Sequence, residues 1–291
     1  MDRLLLCVGA AKSGTTWLYR NLRANPGLWF TPEKELNFFF TRHGAFDRLT
    51  PAIRARKADE LIRKAEPGPG EEALFAWIRR WMEGPVTVDW YRSLFAEKPA
   101  GLWGGDFSPS TSLIRPEGWR EIAGFAEDLR LIYLMREPQD RLWSHAKFHA
   151  RFTGAAPRFN RMRPAELERF VERSSLLVDG DYGSNLGRML EFVPRERILV
   201  VDYTRIATEP EAVLREAEAF LGLPPTPDPF GRIARRVNVT EPTPQPEGFG
   251  DRWRARFRAE TAALAALGVG FAEPWAARHA DLPARRRLRL F

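Results

Sequence analysis

Leu4–Thr16 reads LLLCVGAAKSGTT. An apolar run of strand type is followed by a short loop with Gly9, Lys12, Ser13, Gly14, Thr15 and Thr16, and then by a helical pattern. Strand, glycine-bearing loop and helix N-terminus is the layout that turns backbone N–H groups and the positive end of a helix dipole toward a phosphate. The spacing nearly matches G-x-x-x-x-G-K-[ST], with Gly9 and Gly14 in the glycine positions and Thr16 in the hydroxyl position. Thr15 stands where the lysine is expected, and Lys12 lies inside the loop instead. That displaced lysine governs the rest of the reading.

Outward from the loop, two further apolar runs have strand character, LRLIYLMR (129–136) and RILVVDY (197–203). Such uninterrupted runs are typical of strands covered on both faces in a parallel sheet. Leu28–Phe30 and the start of GLWGGDFSPSTSL (101–113) are shorter strand candidates. Helical spacing is expected for about three turns from Trp17, and over 47–66, 71–84, 86–98, 116–127, 139–152, 164–175, 183–192, 209–224 and 251–267. Strands alternating with helices predict one α/β domain over residues 1–291, with the 224–250 loop and the C-terminal helix as extensions. The 224–250 stretch is rich in Pro and Gly, carries Arg232, Arg235 and Arg236, and is expected to be a long surface loop.

The 291 residues, 44% hydrophobic, are enough for a sizeable core. Mean hydropathy of -0.38 is that of a soluble chain. A formal charge of +7 and a pI near 9.9 favour an anionic ligand. The 38 acidic residues are interspersed with the 45 basic ones, so no nucleic-acid stripe is expected. Cys7, the only cysteine, excludes an internal disulfide and a thiolate metal cluster and reads as a buried structural thiol. No stretch approaches the length of a membrane span, and the apolar run in MDRLLLC is too short for a signal peptide. A cytoplasmic protein is expected.

In TPEKELNFFF (31–40), Glu33, Lys34 and Glu35 stand directly before three phenylalanines. From composition the block reads first as a solvated turn leading into a buried segment, and second as a carboxylate whose partial desolvation suits a general base. The aromatic face of 71–84 reads as core. His145 and His149 share a helix face, but the zincin pattern needs Glu at 146, where Ala stands, and no metal site is expected.

Three separated pieces resemble one family. GAAKSGTTWL (9–18) resembles the 5′-phosphosulfate loop of sulfotransferases that use 3′-phosphoadenosine 5′-phosphosulfate (PAPS). LRLIYLMREPQDRLWSHAKF (129–148) resembles their 3′-phosphate motif: a strand ending in Arg136, a proline turn, and Ser144 eight residues beyond. KELNFFF (34–40) resembles the K-E-x-x-F-F block of the bacterial and heparan-type branch. Weaker matches, DWYRSLF before GGDFSPSTS, PRERILVVDYTRIATEPEAVL and FLGLP, extend the likeness to roughly residues 1–224.

The resemblance implies a P-loop-containing three-layer α/β/α fold with a central, mostly parallel sheet. It implies transfer of a sulfonate from PAPS to a hydroxyl or amine of a small-molecule or saccharide acceptor, releasing 3′,5′-bisphosphoadenosine (PAP), without metal. Lys12 would stabilise the leaving phosphate. Ser13, Gly14, Thr15 and Thr16 would bind the 5′-phosphate, with Trp17 near the nucleotide, and Arg136 and Ser144 would bind the 3′-phosphate. Glu35 would be the base, with Glu33 the alternative if the block is offset, and Lys34 would help hold the sulfonate. The family often has E-K-S-P-x-Y where this chain has Gly105–Ser110, which leaves Asp106 and Ser108 as candidate substrate contacts. A K-G-R loop is absent, and Arg235 or Arg236 is the candidate to close over the 3′-phosphate. The physics agrees: a donor with one 5′-phosphate and a separate 3′-phosphate needs two cationic anchors, not a metal-bound triphosphate site. A P-loop kinase or NTPase is the alternative, disfavoured by Thr15 and by the lack of a convincing strand-end aspartate for Mg²⁺ before or after the 129–136 strand. A non-catalytic nucleotide- or polyanion-binding protein is the third reading.

Overall fold

The computed structural model describes residues 1–65, 68, 70–227, 233 and 243–280. In chain order the elements are β1 (Arg3–Gly9), α1 (Thr15–Leu22), β2 (Leu28–Phe30), α2 (Phe38–His43), α3 (Pro51–Lys64), α4 (Glu71–Met82), α5 (Val88–Ser93), β3 (Trp103–Asp106), α6 (Pro116–Ala123) and β4 (Asp128–Met135). They continue with α7 (Pro138–Phe152), α8 (Ala156–Phe159), α9 (Pro164–Arg173), α10 (Tyr182–Leu190), β5 (Ile198–Asp202), α11 (Tyr203–Thr208), α12 (Pro210–Phe220), α13 (Arg254–Ala266) and α14 (Ala272–Arg278). Contacts group them into two compact units, Met1–Arg136 with Arg188–Glu241 and Glu137–Gly187 with Pro242–Phe291. Among the described residues no helix is long and apolar enough to cross a membrane.

The first unit holds a five-stranded sheet in the order β2-β3-β1-β4-β5, parallel at every pairing. β1 lies at its centre, with Leu4 opposite Gly104 on one side and Leu129 on the other. Its residues from Leu4 to Val8 are all buried, which is why the run is apolar without alternation. On one face Leu5, Cys7, Ile132, Leu134 and Val201 pack with Trp17, Leu18 and Leu22 of α1 and Val213, Leu214 and Ala217 of α12. The alternate residues Leu4, Leu6 and Val8 are buried on the opposite face. This is the flanked parallel sheet that the sequence predicts. Burial pushes the Cys7 thiol up to about 12, as a structural thiol requires.

Parallel pairing gathers the carboxyl ends of the strands on one edge, where ligands of such sheets bind. The loop after β1 therefore lies between the ends of β3, at Asp106, and β4, next to Arg136.

In the second unit Leu142, Trp143, Ala146 and Ala150 of α7 pack with Leu167 and Val171 of α9, Phe257 of α13, and Phe159, Phe249 and Trp253. Pro138 opens α7, and Glu137 caps it by accepting from Gln139 N at 3.2 Å and Asp140 N at 2.9 Å. The same carboxylate pairs with Arg278 at 2.8 Å and with buried His279 at 2.5 Å.

Several local expectations differ from the structure. The helix expected over 86–98 ends at Ser93, where Leu94, Phe95 and Ala96 donate to carbonyls three residues back and tighten the chain into turns. RILVVDY leaves the sheet at Tyr203: Asp202, the last residue of β5, accepts from Thr204 N at 2.9 Å and caps α11. Helices α2, α8 and α14 lie in stretches where the sequence predicts no helix. Most of the 224–250 loop and the basic tail lie outside the described residues.

Candidate active site

The loop after β1 is fixed at both ends. Ala10 N donates to Leu134 O at 2.6 Å, and Ser13 N donates to Ala10 O at 3.2 Å. Lys12 adopts a left-handed conformation with φ 70°. Gly14 has φ 93°, and a Cβ there would lie 2.5 Å from Ile206 Cδ1, so the position requires glycine. Trp17 N and Leu18 N then donate to Gly14 O at 2.9 and 3.1 Å, which starts α1. Ahead of them the N–H groups of Thr15 and Thr16 have no partner within the helix, and this turn carries no acidic residue. The Ser13 hydroxyl is buried and has no hydrogen-bond partner among the described residues. These are the features of an anion cradle with a donor in reserve.

The 33–35 block meets this loop. Lys34 Nζ donates to Thr16 Oγ1 at 3.3 Å and to Thr15 Oγ1 at 3.5 Å, and its contact with Glu35 Oε1 is also 3.3 Å. Burial of Leu36, Phe38, Phe39 and Phe40 anchors the block from its C-terminal side, while Glu33, Lys34 and Glu35 stay half-exposed. The neighbouring backbone is held closely. Glu35 N donates to Glu33 Oε1 at 3.4 Å, and the Glu35 carbonyl accepts from Asn37 Nδ2 at 3.0 Å and from Lys57 Nζ at 2.8 Å. Lys57 also pairs with Glu33 Oε1 at 2.6 Å.

Asp106 and Ser108 are buried beside this block. Asn37 N donates to Ser108 Oγ at 2.8 Å, and Ser108 donates to Asp106 Oδ1 at 2.6 Å. Tyr91 OH donates to Asp106 Oδ2 at 3.1 Å. Burial, with the charge of Glu35 added, pushes the Asp106 carboxyl up to about 6, against the hydrogen bonds from Ser108, Tyr91 and the Leu36 backbone that favour the ionised form. Burial and then the Asp106 charge push the Tyr91 hydroxyl well above its ordinary value.

The Arg136 guanidinium lies over the Tyr203 ring, 4.6 Å from its centroid, in the cation–π arrangement. Tyr203 begins α11 directly after β5, so two neighbouring strand ends hold this arginine. Ser144 is half-buried on α7, in the second unit. Trp17 belongs to the core of the first unit, and its indole N–H donates to Ile233 O at 2.9 Å. Arg235 and Arg236 lie outside the described residues. The first unit thus brings together the loop from Lys12 to Thr16, Glu33, Lys34, Glu35, Asp106 and Ser108. Lys57, 22 residues beyond Glu35, carries no local motif and was not legible in the sequence.

Comparison with known proteins follows the same lines. The model of the sulfotransferase family matches residues 5–228. Over 240 residues the chain is 25% identical to the human bifunctional heparan sulfate N-deacetylase/N-sulfotransferase 3, covering 77% of this chain and 23% of that one. Its human counterpart 2 is likewise 25% identical over 234 residues, covering 77% and 22%. The chain therefore spans about a quarter of the length of these relatives. Among solved structures, a sulfotransferase from Alicyclobacillus acidocaldarius superposes with a TM-score of 0.60 at 23% identity, covering 92% of this chain and 96% of that one. A sulfotransferase domain from the curacin biosynthetic pathway gives 0.50 at 17%, covering 80% and 77%. These two likenesses show the fold. The family match runs from inside β1, through the loop and the Glu35 block, to just past α12, and on that extent the chain belongs to the sulfotransferase family.

Proposed function

We propose that the chain transfers a sulfonate from PAPS to a hydroxyl or amine of a small-molecule or saccharide acceptor and releases PAP. One observation carries this reading. A single ammonium, Lys34 Nζ, is held between the threonine hydroxyls that open α1 and the carboxylate of Glu35. A phosphate-type loop and a candidate base therefore share one charged site.

The residues present suit the donor. The buried Ser13 hydroxyl, without a partner among the described residues, and the N–H groups of Thr15 and Thr16 that open α1 are donors suited to a 5′-phosphate. When bound, the donor supplies a sulfonate whose S–O bond to that phosphate breaks, the electron pair passing to the phosphate. Lys12 and the backbone of Ser13, Gly14, Thr15 and Thr16 stabilise the charge that develops there. Lys34 holds the sulfonate side of the site. Glu35 accepts the proton of the acceptor hydroxyl or amine as the new bond to sulfur forms. Glu33, paired with Lys57, is left out of that role. Arg136 supplies the cationic contact to the 3′-phosphate, with the Ser144 hydroxyl as its partner in the motif. Trp17 supports the nucleotide side from within the core, by fixing the Ile233 carbonyl two residues before Arg235 in the sequence. Arg235 or Arg236, outside the described residues, is the proposed second cation for the 3′-phosphate. Asp106 and Ser108 act through the backbone of the Glu35 block. The relatives named for heparan sulfate N-sulfotransferase activity support a saccharide amine among the acceptors.

An acceptor screen with ³⁵S-labelled PAPS tests the proposal. Label is expected on a hydroxyl- or amine-bearing acceptor without added metal. Transfer of the γ-phosphate of ATP, with none of the sulfonate, would overturn it.

A further inference from the structure

Lys57 stands outside every motif considered above, yet it makes two of the short contacts in the site. It lies on α3, which Thr50 caps by accepting from Ile53 N at 3.3 Å, with Pro51 at the first position. The helix is locked to α4 by a reciprocal pair: Arg54 donates to Trp81 O at 3.0 Å, and the Trp81 indole donates to Arg54 O at 3.0 Å. The Lys57 ammonium passes over the Trp81 ring, 5.9 Å from its centroid, and its side chain is only 15% exposed. A lysine stem held this way has already given up most of its rotamer freedom, so its head can act as a fixed donor.

Its two acceptors are unequal in kind. Glu33 Oε1, at 2.6 Å, is a carboxylate that the ammonium neutralises. The carbonyl of Glu35, at 2.8 Å, is backbone, and a bond to it fixes the position from which the Glu35 side chain departs. Glu33 in turn accepts from Glu35 N at 3.4 Å. Lys57 therefore holds the peptide units on both sides of Glu35, one directly and one through Glu33. The Glu35 side chain itself stays 40% exposed and paired only with Lys34 among these cations.

We infer that Lys57 is a positioning residue for the base. It ties down the backbone of Glu35 and engages Glu33, so that of two carboxylates two residues apart only Glu35 is presented to the acceptor. This rests on the reading of Glu35 as the base given above. Displacement of a catalytic group by about 1 Å can cost about a hundredfold in rate, which sets the scale of the effect.

The test uses Lys57→Met, Lys57→Arg and the double variant Lys57→Met/Glu33→Gln, with PAPS turnover, PAP titration and amide exchange over residues 31–40. Lys57→Met is expected to lower kcat ten- to a hundredfold while the PAP Kd stays within about threefold, and Lys57→Arg to recover most of the loss. The double variant leaves no unpaired carboxylate, and is expected to remain at least tenfold down because the Glu35 carbonyl still lacks its donor. In both Met variants the 31–40 amides should exchange faster than in the wild type. If the double variant regains wild-type kcat, Lys57 merely neutralises Glu33 and the inference is overturned. Unchanged kcat in Lys57→Met, or a fall in PAP affinity as large as the fall in kcat, overturns it as well. Should the wild type transfer no sulfonate, the base reading fails; unchanged exchange over 31–40 would separately contradict the positioning claim.

Discussion

Lys34 donates to Thr16 Oγ1 at 3.3 Å, joining the Glu33–Glu35 block to the first turn of α1. The two pieces are 18 residues apart, and the sheet brings them together because β2 runs parallel beside β3 and delivers the block to the same edge as the loop. Lys34→Ala removes a cation placed between phosphate loop and base. It is expected to weaken PAP binding and lower kcat, each by about tenfold, as for a charge-assisted contact of 1–2 kcal/mol. Lys12→Ala, which removes the loop cation, is expected to reduce kcat by about 10²–10³. Titration and steady-state kinetics on the two variants separate these effects.

Glu35→Gln keeps the size of the side chain and its contact with Lys34 but removes the proton acceptor. Its kcat is expected to fall by about 10²–10⁴ with PAP affinity nearly unchanged. Near-native turnover in this variant with donor bound would show that another group takes the proton.

Asp106 gives the fold a pH dependence of its own. Its carboxyl is raised from 3.8 to about 6 in the folded protein, so the folded state keeps a proton that the unfolded chain releases between about pH 4 and pH 6. The stabilisation is complete below about pH 4 and is lost as the pH rises through 6, and it amounts to roughly 3 kcal/mol. Asp106→Asn should remove this component. Denaturant unfolding between pH 4 and 7 should then show a shallower decline than in the wild type, whereas parallel curves would contradict the assignment.

In the second unit, His279→Ala deprives the buried Glu137 cap of one of its two side-chain partners. The expected cost is about 1–3 kcal/mol of stability, read as a lower unfolding midpoint, because the carboxylate keeps only Arg278 and its two N-terminal amides.

Much of this organisation is legible in the sequence where local chemistry dictates it. The uninterrupted apolar run of β1 states its burial on both faces, and Gly14 announces a backbone turn that only glycine tolerates. The apolar block after Glu35 is buried as its composition requires. What escaped are relationships between distant residues. Nothing near Lys57 indicates that it faces Glu33 and Glu35, because that meeting depends on how α3 packs on α4. The buried state of Asp106 and Ser108, and their bonds to Tyr91 and Asn37, follow from the position of β3 inside the sheet, which no local pattern announces. Helix α14 escapes for a similar reason: its Arg278 pairs with Glu137, more than 140 residues earlier. Arg235 and Arg236 remain expectations from the sequence, outside the described residues.

The most direct test of the central claim is a calorimetric titration of the full chain with PAP and with ADP, each with and without Mg²⁺. The account predicts that PAP binds without metal and more tightly than ADP, and that Arg136→Ala weakens PAP far more than ADP, which lacks a 3′-phosphate. Tight binding of Mg-ADP alone, with PAP bound weakly or not at all, would contradict it.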